Sequence, residues 1–393
     1  MDAARLRAWW WQRQGLDGSL RGQSPAQVLE RVGWARSVGG SNPYLTLFSR
    51  AGLSRQEVDP ALAREEIFEL PSARGCTYVV PQSDFALALR ISQGSGDPQD
   101  ISTAKKYLGV TEEELQRLAS AVLNCLDHEP KDPATIKACV GNAARSLGAE
   151  GKKRGMTTTL PMVLGRLQTS GEIRRHPVNG RLDQQRYGYV RWHQKPMAIS
   201  LEEAHVELAR RYFSWIGVAS EANFQWFSGL SKKAAKAALE PLGLAVVSGD
   251  LFALPKDTDE VGGFKTPEDP SYSLVSSLDS LFLLRRDIKG FLEAEDLERH
   301  AVGDKGLLQL GHLMDLSNNA IVDRGRIVGL WEYDPGASQV VWFSFIEPNE
   351  DMRKAVARTG EYIRDQLGDA RSFSLDSPES RKPVLAALGS MQR

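Results

Sequence analysis

The chain has 393 residues, 41% of them hydrophobic and 25% charged, with a formal net charge of −1. That length suits two to four domains with cores of their own, and the composition excludes a disordered, collagen-like or disulfide-scaffold protein. No apolar run approaches the roughly 20 residues that span a bilayer, and Met1 to Gln14 lacks the pattern of a secretory signal, so the expectation is a cytoplasmic monomer without a membrane partner.

Predicted elements follow in chain order. Leu6, Trp9 and Trp10 fit a helical apolar stripe, and Gln12 and Gln14 stand two apart, a spacing that cannot share one helix face. Ser24-Pro25 caps a helix to Trp34, with Val28, Leu29 and Val32 on its apolar side. Ser54 to Leu62 gives another helix, and Ile67 to Leu70 with Thr77 to Val80 read as two strands. Helix, helix, hairpin is the order of a winged-helix module.

The order recurs. Thr111 opens a helix to about Leu126, Asp132-Pro133 begins a second reaching toward Leu147, and Thr157 to Thr169 is a third. A hairpin follows, Glu172 to Arg175 and Arg186 to Val190, turning at Asn179-Gly180. The third copy runs through Leu201 to Trp215, Ser220 to Phe227 and Ser231 to Leu239, then strands Leu244 to Val247 and Leu251 to Leu254. Gly262 to Asp269 reads as a linker. Beyond it, Asn319 to Arg324, Ile327 to Tyr333 and Val340 to Phe345 form a meander, Asn349 to Leu367 a helix, and Arg371 to Leu375 a last strand. The predicted fold class is mostly α with α+β: winged-helix modules at 1–95, 96–198 and 199–262, followed by a β-rich α+β domain at 263–393.

Local charge carries the functional signal. Residues 151–195 hold ten basic side chains against two acidic ones, which suits an anionic partner, double-stranded DNA. The third helix of the middle module and its wing supply the candidate contacts Lys152, Lys153, Arg154, Arg166, Arg174, Arg175 and Arg181, with Lys232 and Lys233 on the corresponding helix of the third module. The same residues also fit solvated charged faces. Three cysteines, Cys76, Cys125 and Cys139, show no paired spacing and read as reduced, and six histidines show no ligand spacing, so neither metal nor cofactor is expected. Walker, GxGxxG and GxSxG motifs are missing.

Val32-Gly33-Trp34, Pro43 to Arg50, Arg74 to Pro81, Ala222 to Leu230, Leu278-Asp279 and Ile321 to Trp331 together resemble the AlkZ/YcaQ-type winged-helix DNA glycosylases. The resemblance implies tandem winged helices around a DNA channel and hydrolysis of the N-glycosidic bond of alkylated or crosslinked purines. It also implies a Gln-x-Gln or Gln-x-Asp pair that positions the attacking water. Here the corresponding loop, Ala35 to Asn42, holds neither glutamine nor acid. Asn42 and Asp279 are the candidates to replace them. Three readings follow: a DNA-binding protein recognising damaged or distorted duplexes, an active monofunctional glycosylase, and a sequence-specific transcription regulator.

Overall fold

The computed structural model describes residues 2–94, 99–184, 186–303, 306–373 and 375–391; the boundary expected between residues 95 and 96 lies outside them. Three successive segments of helices end in short antiparallel hairpins, and a sheet with flanking helices completes the chain. No helix among the described residues is long and apolar enough to cross a membrane.

The opening helix, Ala3–Arg13, is capped by Asp2 and buries Trp9, Trp10 and Trp11. Those tryptophans are core, and the Trp10 indole donates to the Val218 carbonyl at 2.9 Å. Gln14, just past the helix, is also buried; its amide donates to the carbonyls of Val32 and Trp215 and its oxygen accepts from Ser280 at 2.6 Å. Ser24 and Ser54 start the helices Pro25–Val32 and Arg55–Ala63 with reciprocal capping boxes. Between them stands a helix the sequence reading did not assign, Asn42–Ala51. Strands Ile67–Pro71 and Thr77–Pro81 pair, and Ala35–Arg36 adds to the outer side of the latter.

In the middle segment, Glu112–Cys125, Pro133–Val140 and Leu160–Ser170 lead to the hairpin of Ile173–Pro177 with Tyr187–Arg191. The helix from Pro133 stops short of the expected Leu147 because Gly141 takes a positive φ of 53°. The expectation of three reduced cysteines is corrected: Cys125 and Cys139 are joined by a disulfide, their Cα atoms 6.2 Å apart, because these first two helices run side by side. Cys76 is free. The third segment repeats the pattern with Leu201–Ile216, Glu221–Ser228 and Lys232–Leu239, followed by strands Ala245–Ser248 and Leu251–Ala253.

The last part is built on a four-stranded antiparallel sheet in the order Gln339–Ser344, Arg326–Asp334, Asn319–Asp323, Tyr272–Val275. Glu350–Tyr362 packs on it and unwinds into a π turn, Ile363–Leu367. The strand expected over Arg371 to Leu375 does not form among its described residues. Arg371 instead accepts from Ser41 N at 2.9 Å through its carbonyl and donates to the Asp183 carbonyl at 2.7 Å, and a further helix, Pro378–Met391, lies on the sheet.

Apolar side chains gather in three clusters. The largest mixes residues 28–91, 204–254 and 274–370 with Leu182 and Trp192, so the first and third segments share one interior with the sheet and the middle segment's hairpin region reaches into it. A second joins the tryptophans of the opening helix to the sheet's other side. The third, Ile101 to Tyr189, belongs to the middle segment alone.

Candidate functional site

Where the three segments meet, a cleft of about 890 Å³ opens. The first segment contributes Glu69, Pro71, Arg74 and Thr77, the middle segment Gly165, Gln168 and Arg175, and the third His205, Ser228 and Gly229. A side chamber of about 290 Å³ shares Glu69, Thr77 and Arg175 with it and adds Arg36, Ser37 and Tyr187. Glu69 and Arg175 therefore stand where the two spaces join.

Glu69 occupies the middle of strand Ile67–Pro71 and is 6% exposed. The Ser37 hydroxyl donates to its Oε1, while Oε2 has no hydrogen-bond partner at bonding distance. Burial pushes its carboxyl above the usual range, opposed by the Ser37 hydrogen bond and by the nearby Arg175 guanidinium and Tyr187 phenol. Ser37 follows the short strand Ala35–Arg36, and its amide donates to the Thr77 carbonyl at 3.0 Å, which fixes the loop against the hairpin. A buried carboxylate with one oxygen held and the other without a hydrogen-bond partner can accept a proton from a water admitted beside it or face a developing cation. Burial also lowers the pKa of His205, which the third segment contributes to the cleft, favouring its neutral form.

The candidates taken from the sequence are distributed differently. Asn42 and Asp279 are both buried and both touch Thr46, whose hydroxyl lies 3.5 Å from Asn42 Oδ1 and 3.4 Å from Asp279 Oδ2. Asn42 donates to the Arg36 carbonyl at 2.7 Å, and Asp279 is clasped by Arg50, so neither lines the cleft. Of the cations, Arg166 pairs with Glu112 at 2.6 Å, Arg174 with Glu65 at 2.9 Å and Arg181 with Asp183 at 2.5 Å. Lys153 reaches Glu150 at 2.6 Å, and Arg154 lies over the Tyr107 ring at 4.5 Å. Lys152, Lys232 and Lys233 are exposed. Arg175 alone among these candidates lines the cleft, its guanidinium 5.2 Å from the Tyr187 ring.

Glu69 and Tyr187 carried no mark in the sequence. Arg74 opens a stretch that resembled a family, and Ser37 lies in the loop corresponding to that family's catalytic pair, which was the available signal for them.

The fold has a counterpart among solved structures. It matches the DNA glycosylase AlkZ of Streptomyces sahachiroi with a TM-score of 0.69 at 20% identity, over 94% of this chain and 98% of that one. A family model described as DNA glycosylase AlkZ-like matches residues 29–379, and the chain belongs to that family. No curated protein matches it in sequence.

Proposed function

We propose that the protein acts as a cytoplasmic monomer on double-stranded DNA, gripping it with three winged-helix modules and hydrolysing the N-glycosidic bond of an alkylated purine. The observation that carries this reading is the Ser37–Glu69 pair at the junction of cleft and side chamber. The loop without the glutamines still presents a hydroxyl, and a strand of the same sheet supplies the missing acid. Ser37 fixes Oε1, so Oε2 is the atom free to take a proton from a water attacking the anomeric carbon. As that C–O bond forms, the bond to the purine breaks and its electron pair leaves with the base. A purine made cationic by alkylation departs neutral, and the carboxylate stabilises the sugar cation meanwhile. In this reading Asn42 and Asp279 serve the framework.

Single-turnover release of 7-methylguanine from a duplex tests it. The wild type releases the base, Glu69→Gln loses about 10²- to 10³-fold in rate with binding retained, and Ser37→Ala loses less. The missing glutamines in Ala35 to Asn42 favour a second reading, recognition of damaged duplex without excision. Tight, lesion-dependent binding by a wild type that releases no base would establish it, and preference for one undamaged sequence would point to a transcription regulator.

A further inference from the structure

We infer that Arg74 is a preset phosphate-gripping residue on the cleft wall, aimed at the DNA backbone beside the base that Glu69 faces. The inference deepens the DNA-binding reading and rests on it. Arg74 sits in the turn Ala73–Gly75 that joins strands Ile67–Pro71 and Thr77–Pro81. Its backbone is left-handed, φ 58° and ψ 21°, a conformation that costs any side-chain-bearing residue and that glycine adopts freely. Strain of this kind persists where the surroundings over-determine it, which makes it a pointer to function.

Two neighbours from the third segment hold the side chain. The guanidinium lies 4.0 Å from the centre of the Trp226 ring. Gly229 leaves the space that the Arg74 stem occupies, since a Cβ there would come within 2.7 Å of Arg74 Cγ. A guanidinium stacked on an indole keeps the N–H donors of its edge free, in the planar fork that fits two phosphate oxygens.

The charge itself is also free. Arg74 is exposed, lines the cleft together with Glu69, and has no carboxylate partner among the described residues. Its neighbour differs: Arg286, the other guanidinium against Trp226 at 5.2 Å, is paired with Asp315 at 2.9 Å. A residue forced into a strained turn, stacked, given clearance and left without a counter-ion is built to meet an anion from outside. In a cleft of this family's architecture that anion is a phosphodiester.

The test uses the full-length protein and a duplex carrying a stable abasic-site analogue, with single methylphosphonates walked along the flanking phosphates. Arg74→Gly relieves the left-handed backbone, so it keeps the fold, which a melting curve checks. It is expected to bind about tenfold more weakly and to lower the slope of log K against log salt by about 0.9, the value for one phosphate contact. One methylphosphonate position should weaken the wild type similarly and leave Arg74→Gly unmoved. Arg74→Lys should restore the salt slope and only part of the affinity. Wild-type affinity in Arg74→Gly, or methylphosphonate effects equal in both proteins at every position, would overturn the inference while leaving DNA binding intact. A wild type that binds no duplex would instead remove the reading on which it rests.

Discussion

Arg50 clasps Asp279 with both arms of its guanidinium, Nη1 to Oδ2 at 2.8 Å and Nη2 to Oδ1 at 2.7 Å, and both side chains are out of solvent. Nη2 also reaches Gln14 and Ser280, while Asp279 Oδ1 accepts from Leu281 N at 2.8 Å. The cluster ties the Asn42–Ala51 helix to the turn that precedes Leu281 and to the end of the opening helix. Breaking a buried pair leaves a charge without a partner, so Asp279→Asn is expected to lower unfolding stability by about 3–5 kcal/mol in a urea titration. Base release per folded molecule should stay near wild type. A variant of full stability that released no base would return Asp279 to the chemistry.

Glu69 sets opposing pH trends. Burial raises its pKa, so once the pH passes the ordinary carboxylate value the unfolded chain sheds a proton that the folded protein keeps. Stability contributed by this group therefore falls as pH climbs toward its raised folded value. The excision rate, which needs the carboxylate, should rise over the same range. Glu69→Gln is expected to abolish the rate profile and to flatten the stability profile, with a higher urea midpoint at neutral pH. A rate that falls with rising pH through that range would contradict the assignment of Glu69 as base.

A second buried carboxylate gives a sharper window. Glu332, on the strand Arg326–Asp334, is reached by Asn318 at 3.5 Å and Asn319 at 3.3 Å, and burial pushes its pKa up to about 7. The protein should lose roughly 3 kcal/mol from this group as pH rises from about 4.5 to about 7. Glu332→Gln should remove that decline and be the more stable form at pH 8. Parallel stability curves for the two proteins would show that the carboxylate does not titrate there.

The cations of the middle and third segments divide by partner. Lys152 and Lys232 are exposed, and replacing each by alanine should lower the salt slope of duplex binding by about 0.9 wherever it meets a phosphate. Arg174 is tied to Glu65 of the first segment and lies 5.1 Å from the Phe68 ring. Arg174→Ala should lower the melting temperature and leave the slope unchanged. A lower slope with unaltered melting would place Arg174 on the DNA.

What could be read from the sequence was mostly local. Ser24, Ser54 and Ser220 mark helix starts because a capping hydroxyl acts within three residues, and all three form capping boxes. Alternating residues around a short turn revealed the hairpins for the same reason. The Pro378–Met391 helix was missed despite its Ser377-Pro378 start, because Pro383 interrupts its pattern. Glu69 was only one position of a predicted strand; it is buried because a hairpin more than a hundred residues later brings Arg175 and Tyr187 against it. Asp279 looked like an available acid, and its partner Arg50 lies 229 positions away. Pairings at such range are set by packing and leave no trace in spacing. The disulfide escaped for a smaller version of the same reason, being made by two neighbouring helices rather than by a recognisable cysteine motif.

The largely separate interior of the middle segment has a practical consequence. Two walls of the cleft are cast as one piece with the sheet, whereas the third wall, carrying Gln168 and Arg175, rides mostly on apolar contacts from Ile101 to Tyr189 and is keyed into that frame by Leu182 and by Trp192, which packs on Phe68 and Phe85. A chimera that grafts the segment from a relative would change what faces Glu69, and it would leave the frame intact only where the graft keeps those two side chains and the Arg174–Glu65 pair.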